Sequence, residues 1–209
     1  MTLALGSDTE QIPSKPQAVW YRNDMSRVTT RSDMTAGEYL TWERQQPTKH
    51  EFFHGEVFAM AGGSPRHNAL CARIIAASNS PGRWVVLTSD QRVANQGRYV
   101  YPDVSIACGG LEIETNDVLL NPTVIVEVLS ASTEQYDRGL KWEGYQRIAS
   151  LADYILVSQV EPRIEHYRRA PDGSWTYRAA GPGETATLSI GVTLIVDHIF
   201  SGVLDLPGD

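Results

Sequence analysis

Thr123-Val-Ile-Val-Glu-Val-Leu129 is the stretch on which the fold turns. It is almost continuously apolar, follows Asn121-Pro122 and gives way to Ser130. A short run of this kind, rich in β-branched residues, predicts a central strand buried on both faces. Glu127 does not fit that setting. An ionised carboxylate inside such a strand costs several kcal/mol, on the order of the penalty for burying an ion, unless a cation answers it.

The preceding segment repeats the theme. In Tyr101-Pro-Asp-Val-Ser-Ile-Ala-Cys108, Val104, Ile106 and Cys108 alternate onto one face, and Asp103 shares the other with Ser105 and Ala107. Pro102 removes a backbone donor, which suits the start or edge of a strand. The chain between Asp103 and Glu127 is long enough to place them on adjacent strands. Two hard carboxylates so placed can hold a Mg²⁺ that keeps several waters and takes a substrate phosphate into its shell. Such an ion neutralises phosphate and lowers the pKa of a bound water.

Downstream, 135–148 predicts a helix with Leu140, Tyr145 and Ile148 partly inward, and Tyr136 and Tyr145 packing around it. Lys141 lies four residues after Asp137 on that helix. It is read either as an exposed Asp–Lys pair or as an ammonium turned back over the strand ends, where it would orient water or stabilise phosphate charge.

Further elements surround these. Thr35-Ala-Gly-Glu38 has the pattern of a capping box, and Ser64-Pro65 that of a helix start. A hairpin is expected around His54-Gly55 and another around Pro171-Asp-Gly173. Strands are expected over 84–87, 91–94, 98–108 and 154–157, with a short helix over 195–200. The order predicts a mixed β-sheet core flanked by helices, an α/β or α+β fold class. Residues 1–32 mix Ser, Thr, Asp, Pro and Gln without periodicity and read as a flexible N-terminal arm, 33–204 as one domain, and 205–209 as a C-terminal tail. In that arm Lys15, Arg22, Arg27 and Arg31 are candidate DNA contacts, with a solvated tail as the simpler reading.

Composition bounds the function. Of 209 residues, 42% are hydrophobic and 21% charged, as in ordinary globular domains. No apolar run reaches the roughly 18 residues of a membrane span, and the N-terminus lacks the pattern of a signal peptide, so a cytoplasmic location with no membrane association is expected. The net charge of −7 argues against a nonspecific nucleic-acid binder, but not against a nuclease with a local basic surface. Cys71 and Cys108 form no CxxC pair, which effectively excludes a cysteine zinc site and a disulfide scaffold and leaves buried free thiols as the expectation.

Eight fragments in order resemble the Uma-two family within the PD-(D/E)XK nuclease superfamily. They are Met34-Thr-Ala-Gly-Glu-Tyr-Leu40, His54-Gly-Glu-Val57, Ser64-Pro-Arg-His67, Tyr101-Pro-Asp-Val104, Val126-Glu-Val-Leu-Ser130, Tyr136-Asp-Arg-Gly-Leu-Lys141, Asp153-Tyr-Ile-Leu-Val157 and Glu165-His-Tyr-Arg168. The resemblance implies a restriction-endonuclease-like core with added β-hairpins. It also implies Mg²⁺-dependent hydrolysis of DNA, with Mn²⁺ as a substitute, and Asp103 and Glu127 as the acidic pair. The superfamily carries lysine two residues after the glutamate, where this chain has Leu129, so the resemblance moves that role to Lys141. Glu56 matches a family glutamate and is a candidate third metal ligand. His67 stands where many relatives place a glutamate, and is a candidate for phosphate, proton or metal work. Gln91 and Arg92 are candidate phosphate contacts. A homodimer would suit double-strand cleavage. The competing expectations are a catalytically inactive nuclease-fold module that binds nucleic acid or a protein, and a hydrolase of smaller phosphoesters.

Overall fold

A computed structural model describes residues 29–95 and 97–209. The chain runs through β1 (Thr29–Arg31), α1 (Ala36–Glu43), β2 (His50–Phe53), β3 (Glu56–Ala59) and α2 (Pro65–Ser78). Then come β4 (Trp84–Thr88), β5 (Arg92–Asn95), β6 (Arg98–Val100), β7 (Val104–Cys108), β8 (Ile113–Glu114), β9 (Val118–Leu119) and β10 (Val124–Val128). A helix over 134–145, here the site helix, leads to β11 (Asp153–Val157), β12 (Ile164–Arg169), β13 (Trp175–Ala180), β14 (Thr185–Thr187) and β15 (Thr193–Ile195). A short helix, Val196–Phe200, follows.

The strands form two mixed sheets and a two-stranded ribbon. One sheet has the order β1-β3-β2-β6-β5-β9-β8, the other β13-β12-β11-β10-β7-β4. β10 is interior, parallel to β11 and antiparallel to β7, and every residue in it is buried. The expectation drawn from its apolar run therefore holds. Val124, Val126 and Val128 pack with Leu70 and Ile74 of α2. Ile125 packs on the opposite face with Tyr145, Ile148 and Leu151. Glu127 thus faces the side covered by the site helix.

Local sequence explains the element starts. Thr35 and Glu38 complete the capping box reciprocally, and the Ser64 side chain caps α2 with Pro65 in its first turn. His54 and Gly55 both take positive φ, 46° and 99°, as a two-residue hairpin turn demands.

Three expectations change. The single strand over 98–108 is two strands in different sheets, β6 pairing with β2 and β5, and β7 with β4 and β10. Pro102 cannot donate to a ladder, and the chain changes sheets across Tyr101-Pro-Asp103. The arm expected over 1–32 lies outside the described residues up to 28, but residues 29–31 form β1 against β3. The tail over 205–209 is docked: Arg66 donates to the carbonyls of Leu204 and Leu206, and Gln159 to the Asp209 carboxylate. No helix among the described residues is long and apolar enough to cross a membrane.

Candidate active site

β7 and β10 pair with Ile125 opposite Ser105 and Val126 opposite Val104. Continuing that register by one step sets Asp103 opposite Glu127, at the point where the chain enters the sheet. Asp103 Oδ2 accepts a 2.7 Å bond from the Val128 N–H, so the strand end itself orients this carboxylate. It also lies 3.2 Å from His67 Nε2, on the first turn of α2. The Asp103 and His67 side chains are 15% exposed, so both are within reach of solvent.

Glu127 is 2% exposed. Its Oε1 accepts from Lys141 Nζ at 3.0 Å and from the Tyr145 hydroxyl at 2.9 Å. Its Oε2 has no hydrogen-bond partner among the described residues. Burial pushes the Glu127 carboxyl well above its usual range; the Lys141 charge pulls it back, while Asp137 and Asp103 push it further. Burial opposes the Lys141 charge as well, but Asp137, Glu127 and Glu51 together hold it well above the ordinary lysine value, so it is an ammonium.

The site helix brings Lys141 inward through a local irregularity. Asp137–Lys141 is a π-helical segment set between α-helical turns. The wider turn leaves carbonyls for other donors: Tyr154 donates to Asp137 O at 2.9 Å and Arg98 to Leu140 O at 2.7 Å. Asp137 and Lys141 are both buried, with Asp137 Oδ1 3.1 Å from Nζ. That approach lacks hydrogen-bond geometry, and Oδ1 is a buried oxygen without a hydrogen-bond partner among the described residues. The expected Asp137–Lys141 pair therefore exists, but in the interior rather than at the surface.

The other sheet contributes Glu51, on β2. It is fully buried, with Oε1 3.4 Å from Lys141 Nζ and accepting from the Tyr101 N–H at 3.3 Å. Three carboxylates, from Glu51, Glu127 and Asp137, thus share one ammonium. Asp103 and Glu127, hard oxygen donors opposite one another at the strand ends, are the carboxylate pair that could hold a divalent cation of the Mg²⁺ class.

The family described as "Putative restriction endonuclease", Uma2, matches residues 36–197. The chain belongs to the Uma2 family. It is 37% identical over 174 residues to an uncharacterized protein of Synechocystis sp., covering 79% of this chain and 90% of that one. A second uncharacterized Synechocystis protein is 34% identical over 158 residues, covering 72% and 89%. A crystal structure from Anabaena variabilis, described as "a putative nuclease belonging to DUF820", superposes with a TM-score of 0.67 over 82% of this chain and 99% of its own. At 17% identity that likeness shows the fold, which is nuclease-like.

In this Uma2 chain the expected residues divide. Asp103, Glu127, Lys141 and His67 come together around the ends of β7 and β10. Glu56 does not join them: it pairs with Phe53 at the turn end of the β2–β3 hairpin, and Glu51 on the same hairpin reaches Lys141 instead. Arg92 is 5% exposed and gives its guanidinium to the Tyr101 hydroxyl and Asp117. The Gln91 amide donates to the carbonyls of Arg92 and Asp117. Neither offers a free phosphate contact in this arrangement. Tyr145, expected to pack, packs and also bonds Glu127. Glu51 had a signal in the sequence. It sits in the apolar segment His50-Glu-Phe-Phe53, where an ionised carboxylate is as costly as Glu127 is in its own strand.

Proposed function

We propose that this Uma2 protein is a Mg²⁺-dependent endonuclease that hydrolyses DNA phosphodiester bonds in the cytoplasm, with Mn²⁺ able to replace Mg²⁺. The observation that carries the reading is Lys141 Nζ, 3.0 Å from Glu127, on a carboxylate whose strand register faces Asp103. A helix-borne lysine there occupies the role that Leu129 leaves open on the strand.

Asp103 and Glu127 would hold the ion, Glu127 through the oxygen that Lys141 and Tyr145 leave free. The ion supplies Lewis acidity toward the phosphate and a lowered pKa for bound water. Lys141 contributes a fixed positive charge beside the oxygens on which negative charge grows as water oxygen bonds to phosphorus and the ester oxygen leaves. Tyr145 and Glu51 hold Lys141 and Glu127 in place. His67 stands at the exposed side of Asp103, where it can meet the phosphate or pass a proton to the leaving oxygen.

The test is cleavage of supercoiled, linear and single-stranded DNA in Mg²⁺, Mn²⁺ and EDTA, with small phosphoesters run alongside. Metal-dependent nicking lost in Asp103→Ala, Glu127→Ala and Lys141→Ala is expected. Cleavage retained by Glu127→Ala would sink the assignment. One observation favours a non-catalytic nuclease-fold module: Lys141 is only 6% exposed and already faces three carboxylates. That reading requires DNA or protein binding that persists in EDTA and in Asp103→Ala. A homodimer, suited to cutting both strands, is tested by solution mass.

A further inference from the structure

His67 and Cys71 stand four residues apart on α2, one above the other on the same face. Cys71 Sγ lies 3.6 Å from His67 Nδ1, and His67 Nε2 lies 3.2 Å from Asp103 Oδ2. One donor atom from each of the three residues falls within 4.8 Å of the other two, and all three residues are half-buried. Gly63 leaves space at this point, since a Cβ there would stand 2.7 Å from His67 Nδ1.

The donor set is one nitrogen, one sulfur and one oxygen. Mg²⁺ selects oxygen and retains water, and gains little from a thiolate or an imidazole. Zn²⁺ takes all three donor types in tetrahedral sites. With zinc–nitrogen and zinc–sulfur bonds of about 2.1 and 2.3 Å at a tetrahedral angle, the nitrogen and sulfur are about 3.6 Å apart. The 3.6 Å separation of His67 Nδ1 and Cys71 Sγ matches that span. This departs from the sequence expectation of no cysteine zinc site: the missing CxxC pair says nothing of one cysteine brought together with His67 and Asp103.

We propose that His67, Cys71 and Asp103 form a binding site for a transition-metal ion of the zinc class. Three protein ligands leave the fourth position to water. Binding replaces the Cys71 S–H bond with a metal–sulfur bond and frees the chosen His67 nitrogen, and the displaced protons go to solvent. Asp103 belongs to both this site and the proposed Mg²⁺ site. Resting on the nuclease reading, a second consequence follows: zinc captured here withdraws Asp103 and brakes Mg²⁺-dependent cleavage.

The full chain, stripped with EDTA and desalted, is titrated with Co²⁺ as a spectroscopic probe and then with Zn²⁺. One equivalent of Co²⁺ is expected, with a near-ultraviolet thiolate-to-metal charge-transfer band that stoichiometric Zn²⁺ removes and excess Mg²⁺ does not. The band disappears in Cys71→Ser and Cys71→Ala, and remains in Cys108→Ser. Replacing His67 by Gln weakens Zn²⁺ binding at least about tenfold. No band in the unmodified chain, or a band that survives both Cys71 substitutions in folded protein, overturns the site. In Mg²⁺ cleavage assays, Zn²⁺ inhibits the unmodified chain and loses that effect in Cys71→Ser; equal inhibition of both overturns the brake. Co²⁺ binding as expected in a chain that never cleaves DNA would leave the metal site standing and remove the nuclease reading alone.

Discussion

Lys141 is the residue on which most of the site depends. Its ammonium is the positive charge facing Glu51, Glu127 and Asp137, all within 3.4 Å. Replacing it with Met strands buried carboxylates, and removing one partner of a buried pair costs about 3–5 kcal/mol. Urea unfolding of Lys141→Met should show that loss, together with loss of cleavage. Glu51 and Glu56 offer a sharper comparison, because they sit on one hairpin and only Glu51 touches the cluster. Glu51→Gln should lower cleavage about 100-fold by loosening Lys141, while Glu56→Gln stays close to the unmodified rate. The reverse order, read from initial rates, would return the third carboxylate to Glu56.

Two elements carry consequences of their own. The π-helical turn over Asp137–Lys141 is the equivalent of one extra residue in an α-helix. Deleting Gly139, which is exposed with open space at its Cα, should remove that extra residue and close the wide turn to regular α-helix, with the flanking turns keeping their faces. Asp137 O and Leu140 O are then taken up within the helix, so Tyr154 and Arg98 lose their acceptors and Lys141 is no longer held in the same place against Glu127. Unchanged far-ultraviolet circular dichroism with cleavage lost is the expected result. Gly144 must lack a side chain, since a Cβ there would collide with the Asn95 amide on β5. At the start of β11, Asp153 anchors β12 and the segment after β14 through His166, Arg168 and Ser189. Burial raises its pKa, but bonds from His166 and Ser189 outweigh burial and bring it below 3.8. A depressed carboxyl stabilises the fold above its unfolded pKa, and that stability disappears as pH falls through the folded value. Asp153→Asn should therefore cost about 3 kcal/mol at neutral pH. The gap to the unmodified protein should narrow only below about pH 3.8, read from urea midpoints across pH.

At the scale of the whole molecule, the site lies where two sheets meet. The seven-stranded sheet supplies Glu51, the six-stranded sheet Glu127, and Asp103 lies on the segment crossing between them. Arg98 links the seven-stranded sheet to the site helix, donating to Leu140 O at 2.7 Å while its guanidinium lies 4.1 Å from the Phe53 ring centre. Arg98→Ala should cost about 2 kcal/mol, the worth of a charged hydrogen bond, and reduce cleavage by loosening the site helix. Thermal unfolding and rate measured on the same preparation check it. From the sequence alone followed the interior strand with its misplaced glutamate, both hairpins and the caps of α1 and α2, while Asp103, expected on the neighbouring strand, stands one residue before it, on the crossing segment. These depend on local backbone chemistry and on which side chains avoid water, and both are written in residue order. Only the tertiary structure decided that Lys141 reaches Glu127, that Glu51 rather than Glu56 meets it, that Arg92 is held inside, and that Cys71 faces His67. Those pairings depend on strand register, on a helical turn one residue too wide and on a change of sheet at Pro102, where a single step redirects a side chain to another partner.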